Sequence, residues 1–130
     1  MITLWLGSCN QWDCDEMGHM NVRVYSERQI EGLTVLAHRL GMPQAFSKNS
    51  PSTILPVEQH IRYIREVLPG SPLTMTGCLL EIGEYDAVIY QEIRHDDGRV
   101  AAAFRTRVIH IDTEEHEPFP WGNRVRPLME

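Results

Sequence analysis

The chain has 130 residues, of which 42% are hydrophobic and 23% are charged, the proportions of an ordinary soluble globular protein with one core. Its formal net charge of -6 argues against nucleic acid as the main partner, because DNA and RNA binding depends on cationic side chains that neutralise phosphates. No apolar stretch approaches the ~20 residues of a membrane helix, and no secretion signal is recognisable. We therefore expect one domain over residues 1–130, with 113–130 as a C-terminal tail.

An apolar run at residues 2–9 predicts the first strand. A helix is predicted from Asn21 to Leu40, because apolar side chains recur there at steps of three and four residues. The row consists of Val22, Tyr25, Gln29, Leu33, Leu36 and Leu40, with Ile30 and Ala37 beside it. Gly41 and Pro43 are typical of a helix end. Gly32 marks either a close contact with a sheet or a tolerated weak point.

The second half of the chain reads mainly as strands. Residues 43–56 contain three prolines and predict an irregular connection. Strands are then predicted at 57–67, 73–83, 86–95 and 99–112, with a Pro-Gly turn at 68–72 and an Asp-Gly hairpin at 96–98. Successive strands with short connections favour an antiparallel sheet. The predicted fold class is therefore α+β, with one long helix on a five-stranded sheet, and the proline-rich tail is expected to wrap the surface.

Residues 11–21, QWDCDEMGHMN, place three acids, a cysteine and a histidine around one glycine. Cys9, Cys14 and His19 are possible metal ligands, but their five-residue spacings differ from the C-x-x-C and H-x-x-x-H pairs of structural zinc sites. Cys14 also lies between Asp13 and Asp15, whose charges would raise the pKa of its thiol and disfavour a nucleophilic thiolate. We expect no metal site and a small, partly buried side chain at Cys14. The three cysteines lack a regular framework, which predicts reduced thiols and a cytoplasmic location.

The same residues stand before the predicted helix, whose N-terminus offers unpaired N–H groups and a positive dipole end. Such a site can hold a carbonyl oxygen that becomes negative during acyl transfer. Asp15 precedes Gly18 by three residues, so its carboxylate can lie near the same point. Asp13 is expected to cap a turn, and Glu16 to be solvated. The combination predicts hydrolysis of an activated acyl group.

Six residues here follow the pattern D-x-D-x-x-G-H-x-N-x-x-x-Y. They are Asp13, Asp15, Gly18, His19, Asn21 and Tyr25. The pattern resembles the hot-dog-fold thioesterases of the 4-hydroxybenzoyl-CoA thioesterase type. The resemblance continues through HIRYIREVLPGSPLTMTG and HDDGRVAAAFRTRVIHID, and covers roughly residues 1–112. It implies a five-stranded sheet wrapped around one helix, and an acyl-CoA thioesterase that needs no metal or redox cofactor.

The resemblance also implies roles for individual residues. Asp15 matches the catalytic carboxylate, the backbone N–H near Val22 matches the oxyanion donor, and Gly18 matches the turn glycine. His19 either takes part in catalysis or shapes the loop. Asn21 is expected to cap the helix or contact substrate, and Tyr25 to pack in the core or contact substrate.

Partners follow from the same resemblance. The substrate would be an acyl-CoA, with its phosphates held by exposed arginines, and two protomers would join their sheets into a homodimer or homotetramer with the sites at the interface. The candidate arginines are Arg62, Arg65, Arg94, Arg105 and Arg107.

Two alternative functions stay open: a hot-dog dehydratase or hydratase in which His19 is essential, and a non-catalytic acyl-CoA-binding protein. Neither nucleic acid nor a membrane is an expected partner.

Overall fold

The computed structural model describes residues 1–41 and 50–121. Its elements are β1 (Ile2–Ser8), a 3-10 turn (Gln11–Asp13), α1 (Val22–Leu40), β2 (Ser52–Tyr63), β3 (Pro72–Ile82), β4 (Asp86–His95) and β5 (Val100–Asp112). The five strands form one antiparallel sheet in the order β1-β3-β4-β5-β2, so β1 and β2 are its edges. The predicted fold class, one long helix on a five-stranded antiparallel sheet, is confirmed.

The helix begins and ends where the sequence indicates. Asn21 is its N-cap, and the side-chain Oδ1 of Asn21 accepts the N–H of Arg23 at 2.9 Å. Gly41 ends the helix in the left-handed conformation, with φ of 73°, and its N–H donates to carbonyl oxygens of the last turn. The expected role of Asn21 as a cap is therefore confirmed. Within the described chain, no helix has the length and apolar character needed to cross a membrane.

The buried face of α1 lacks two of the predicted residues and includes Val24 and Gly32, which were not predicted. Its buried residues are Val24, Tyr25, Gln29, Gly32, Leu33, Leu36, Ala37 and Leu40. Val22 and Ile30 were expected among them, but their side chains are 61% and 42% exposed. At about 100° per residue, Val22 points to the same side of α1 as Leu40. It is the first residue of the helix, however, and its side chain is exposed there. Ile30 lies at the margin of the row.

At Gly32 the helix α1 approaches the sheet closely. A Cβ atom at this position would lie 2.7 Å from Gln91 Nε2 and closer still to Met75 Sδ. Gln91 Nε2 also donates to the main-chain oxygen of Gln29 at 2.9 Å, which fixes the side chain between helix and sheet. Of the two interpretations of Gly32, close contact with the sheet is the correct one.

We expect Gly32→Ala to destabilise the protein. The added methyl overpacks a buried contact, which costs about 1–3 kcal/mol. The better helix propensity of alanine returns up to about 1 kcal/mol, so we expect a net loss of up to about 2 kcal/mol. Urea unfolding followed by circular dichroism measures it. Val35→Ala, on the exposed side of α1, is the control for alanine in this helix, and equal stability of both variants would contradict the tight contact.

Strand β2 was predicted wrongly at both ends. It begins at Ser52 rather than at residue 57, and so includes Pro56, which pairs with Val108 next to a register shift. Because β2 is an edge strand, it has one side that needs no hydrogen-bond donor, and proline is tolerated there. The strand ends at Tyr63 rather than at 67. Residues 42–49 lie outside the described chain, and with them the first half of the predicted irregular connection.

The other four strands lie within one residue of their predicted bounds. The hairpin between β4 and β5 is also confirmed, with Gly98 at φ of 88° and Asp97 Oδ1 accepting the N–H of Arg99 at 2.9 Å. Local turn signals therefore located these strands correctly.

The described part of the tail, residues 113–121, folds back on the sheet. The Trp121 ring stacks on the buried ring of His110 at 4.6 Å, and Trp121 Nε1 donates to the main-chain oxygen of Asp86 at 3.0 Å. Burial lowers the pKa of His110, which favours the neutral ring. The tail therefore contacts the C-terminal end of β5, near Asp112. Tyr63 of β2 pairs with the opposite end of β5, at Ala102. Residues 122–130 lie outside the described chain.

Candidate active site at the start of the helix

Residues 14–20 form a tight loop that leads into α1. Cys14 and Met20 form an isolated antiparallel bridge, and the N–H of Asp15 donates to the main-chain oxygen of His19 at 2.9 Å. Gly18 turns the chain with φ of 79°, a conformation that residues with a Cβ rarely adopt. The loop therefore carries Asp15 and leads into the start of α1.

The Asp15 carboxylate is exposed and lightly bound. Its Oδ1 accepts the N–H of Met17 at 2.9 Å, which fixes the side chain against the loop. Within the described residues, its Oδ2 accepts no hydrogen bond and the carboxylate has no ion pair. One oxygen of Asp15 is thus oriented by the backbone, and the other is open to an incoming group.

Asp13 has a structural role instead. The residue is 6% exposed, and its Oδ2 accepts the N–H of Asn10 at 2.9 Å across the 3-10 turn. Arg28 approaches the same oxygen at 3.8 Å and also lies over the ring of Trp5. The main-chain oxygen of Asp13 accepts the N–H of Asn21 at 2.8 Å. The predicted role of Asp13 as a capping residue is confirmed, and it joins the turn to the helix cap.

The first turn of α1 leaves one N–H open. The N–H groups of Arg23 and Val24 donate to the side chain and the main chain of Asn21, both at 2.9 Å. In the described chain, the N–H of Val22 has no acceptor. Unpaired N–H groups at a helix start carry partial positive charge, so this donor can bind an anionic oxygen.

His19 links the loop to the chain beyond β2. Its Nε2 lies 3.3 Å from Glu66 Oε2, and the N–H of the next residue, Met20, donates to the main-chain oxygen of Val67 at 2.8 Å. These contacts fit the loop-shaping role expected for His19. They leave a direct role open, because the ring is only half-buried.

Tyr25 lies beneath the site. It is 5% exposed, and its ring packs edge-to-face against Tyr63 with centroids 5.1 Å apart. Burial raises the pKa of Tyr25 to about 12, so its hydroxyl stays protonated. Core packing, the first of its two expected roles, is confirmed. The contact also brings the end of β2 beside the first turn of α1.

Six large apolar side chains are exposed on the loop, on the turn before it, in the first helical turn and on residues 63–68; we call them the apolar surface around the loop, which sequence reasoning missed. Its exposed side chains are Trp12 (78%), Met17 (77%), Val22 (61%), Leu68 (51%), Tyr63 (50%) and Ile64 (42%). Large apolar side chains gathered at a surface mark a place where another molecule binds. The signal in the sequence was Trp12 and Met17, two large apolar residues within an otherwise polar stretch.

The arginines are not equivalent. Four of the five candidates bind within the chain: Arg65 to the oxygen of Val100, Arg94 to the oxygen of Gly98 and to Glu92, Arg105 near Glu81, and Arg107 to Asp86. Arg62 has no ion pair or hydrogen bond within the described residues. It lines a groove of about 570 Å³ with Leu80 and Tyr90. By strand alternation, Arg62 lies on the sheet face opposite to Tyr63 and α1, so one chain does not bring it to Asp15.

Cys9 and Cys14 are close to each other, but His19 does not complete a ligand set with them. The two sulfur atoms are 3.6 Å apart, whereas the His19 ring faces Glu66. Across the described residues, no three side chains of histidine, cysteine, aspartate or glutamate are grouped to hold a metal ion. Cys14 is half-buried, as predicted.

Comparisons with known proteins agree with this architecture. The family model of the thioesterase-like superfamily matches residues 9–127. Among solved structures, the chain is similar to the probable thioesterase YbaW of Escherichia coli, with a TM-score of 0.77 and 19% identity over 92% of this chain and 90% of that one. The hot-dog fold implied by the resemblance is therefore confirmed.

Two structures from Staphylococcus aureus are also similar. The protein SAV2348, solved in complex with CoA, gives a TM-score of 0.80 and 18% identity over 92% of this chain and 79% of that one. A DHNA-CoA thioesterase gives a TM-score of 0.79 and 16% identity over 92% of this chain and 81% of that one. No curated protein matches the chain in sequence. At these identities, the structural likeness concerns the fold.

Proposed function

The chain belongs to the thioesterase-like superfamily, and from that premise we propose that it hydrolyses an acyl-CoA thioester to a free acid and coenzyme A. The observation that carries the proposal is that, within the described residues, Asp15 Oδ2 and the N–H of Val22 at the helix start are both left without a hydrogen-bond partner. The narrower assignment to the 4-hydroxybenzoyl-CoA type, and the cytoplasmic location, are parts of this proposal.

In this mechanism the thioester oxygen accepts the N–H of Val22. As the tetrahedral intermediate forms, its negative oxygen is stabilised by that donor and by the helix dipole. Asp15 then acts in one of two ways. It either accepts a proton from the water that attacks the carbonyl carbon, or attacks that carbon itself to form a mixed anhydride that water cleaves. The C–S bond breaks and coenzyme A leaves with a proton; neither route needs a metal or redox cofactor.

Neighbouring residues would support this chemistry. Gly18 leaves open space beside the loop, since a Cβ built there meets no atom within 4 Å. Asn21 would hold the first turn in place, and His19 would hold the loop through Glu66. Tyr25 would support the site from the core rather than contact the thioester.

For the coenzyme A phosphates, we rank Arg62 first among the candidate arginines because its guanidinium is not engaged within the described chain. Arg94 ranks lower, because it already binds Gly98 and Glu92 at 2.8 Å. Arg62→Ala is therefore expected to raise KM for acyl-CoA with a smaller effect on kcat. Arg94→Ala is the matched comparison.

Release of free coenzyme A from a panel of aromatic and aliphatic acyl-CoAs tests the function, with a thiol reagent as the detector. Thiol release that Asp15→Asn abolishes supports the thioesterase. Hydration of an enoyl-CoA without thiol release, abolished by His19→Ala, would replace it with the dehydratase or hydratase. Binding of acyl-CoA without turnover would leave a non-catalytic binding protein.

We further propose a homodimer or homotetramer, formed through the edge strand β2 and the apolar surface around the loop. An edge strand offers unpaired backbone groups that a second copy can bind. Tyr63 and Ile64, at the end of β2, would be covered together with Val22 of the first helical turn. The active site would then lie beside the interface, and coenzyme A could contact both protomers.

Sedimentation velocity is expected to show a species of at least two chains, each of 15.0 kDa. The reason is that a monomer would leave both the apolar surface and the β2 edge in water. A stable monomer with full activity would contradict the proposed assembly while leaving the chemistry of Asp15 untouched.

A further inference from the structure

Two thiols meet directly beneath the proposed catalytic loop. Cys9 Sγ and Cys14 Sγ are 3.6 Å apart, and each lies 3.7 Å from the main-chain oxygen of Asn10. The 3-10 turn Gln11–Asp13 folds the chain so that these two side chains face each other. Both cysteines are free thiols in this structure.

The two cysteines differ in burial and in the part of the chain that they belong to. Cys9 is 1% exposed, and its main chain is held by Ser71 and Gly70 at 3.0 and 2.8 Å. Cys14 is half-buried and is the first residue of the loop, where it pairs with Met20 and immediately precedes Asp15. A disulfide between the two sulfur atoms would therefore tie the start of the loop, at Cys14, to the buried Cys9.

We propose that Cys9 and Cys14 are a reversible dithiol–disulfide pair, and that closing the bond displaces Asp15 and lowers thioester hydrolysis. A disulfide requires sulfur atoms about 2.05 Å apart, so they must approach by about 1.5 Å. Misplacing a catalytic group by about 1 Å can cost about 10²-fold in rate. The effect on hydrolysis rests on the proposed function, whereas formation of the bond does not.

The chemistry balances with hydrogen peroxide as the oxidant. The Cys14 thiol loses its proton, and its sulfur attacks one peroxide oxygen; the O–O bond breaks, leaving a sulfenic acid and a first water. The sulfur of Cys9 then attacks the sulfenic sulfur; the S–O bond breaks, and the oxygen leaves as a second water. Two thiols are oxidised and one peroxide is reduced. A dithiol such as dithiothreitol reverses the reaction by exchange.

The surroundings of the pair predict the order and the pH dependence of these steps. Burial raises the pKa of Cys9 to about 12, with further contributions from Cys14 and Asp13, so Cys9 is protonated at neutral pH. Cys14 is the more accessible thiol and reacts first. Because the thiolate is the reactive form of a cysteine, we expect closure to accelerate as the pH rises.

Counting thiols in the oxidised protein tests the bond itself. The folded protein is treated with hydrogen peroxide, then denatured and alkylated. We expect two of its three thiols to be lost together, a peptide linking Cys9 to Cys14, and full recovery with dithiothreitol. Cys78 lies on β3 and is the internal control, so Cys78→Ser is expected to form the same link. Cys14→Ser and Cys9→Ser each remove it.

The functional effect has two readouts. Oxidation is expected to lower kcat for acyl-CoA by about 10- to 100-fold, reversibly, with no such change in Cys14→Ser. Hydrogen exchange at the Asp15 amide, which donates to His19 in the reduced protein, reports displacement of the loop without any activity. Three reactive thiols after oxidation, or a closed bond with unchanged exchange and turnover, would overturn the proposal. A reduced protein without hydrolase activity would instead remove the proposed function.

Discussion

Asp15→Asn is expected to lower kcat by about 10²–10⁴-fold, the usual cost of removing a positioned general base. Asparagine keeps the size of the side chain, and its Oδ1 can still accept the N–H of Met17, which Asp15 binds at 2.9 Å. The loop should therefore keep its shape while the base and the charge are lost. Steady-state release of coenzyme A measures kcat, and circular dichroism confirms folding.

Binding of acyl-CoA should survive this change, because the nucleotide and pantetheine arm would make most of the contacts. An acyl-CoA titration with Asp15→Asn would then give a Kd close to that of the parent. Loss of turnover without loss of binding separates the chemical role of Asp15 from a role in substrate recognition.

Asp13→Asn is the matched control, two residues away. Its carboxylate is buried, accepts the N–H of Asn10 and lies near Arg28. Removing the charge weakens that pair, so we expect a lower free energy of unfolding and a smaller change in kcat. Equal losses of activity in two folded variants would contradict the separate roles of Asp13 and Asp15. Normal hydrolysis by Asp15→Asn together with an inactive His19→Ala would favour the dehydratase chemistry.

The elements that the sequence located correctly are those with local signals. The cap at Asn21, the left-handed Gly41 and the Asp-Gly turn at 96–98 are each determined by a few neighbouring residues. The start of β2 was missed because Pro56 is acceptable only at a sheet edge, and strand order is not a local property. The exposure of Val22 was missed for the same reason. The spacing of apolar residues shows which side of a helix they share, but not whether another part of the protein covers each of them.

The candidate site divides in a similar way. The motif and the turn at Gly18 identified the loop. The capping role of Asp13 is confirmed, whereas the catalytic role of the exposed Asp15 stays a prediction. The sequence could not rank the arginines, because their ion pairs depend on cross-strand register; Arg107 meets Asp86, for example, across β5 and β4. Nor could it place Cys9 against Cys14, since their approach depends on the 3-10 turn between them.

The proposed oxyanion donor is the main-chain N–H of Val22, so among the standard residues only proline removes it. Val22→Pro is expected to lower kcat by about 10²-fold or more, by analogy with the loss of one oxyanion-hole donor. The fold should tolerate the change. Proline is favoured at the first helical position, and the N–H of Val22 has no acceptor in the described chain. Asn21 has φ of −67° and ψ of 143°, a conformation that suits a residue before proline.

Val22→Ala separates the backbone group from the side chain, because it keeps the N–H and removes two methyl groups from a residue that is 61% exposed. We expect little change in its kcat, and a change in KM or in assembly if the side chain contacts the substrate or the second protomer. The ratio of kcat between the two variants therefore measures the donor, with a thermal melt of each to exclude unfolding. A folded Val22→Pro protein that hydrolyses acyl-CoA as fast as Val22→Ala would place the oxyanion hole elsewhere, because no side-chain effect can mask the loss of an N–H that binds the transition state.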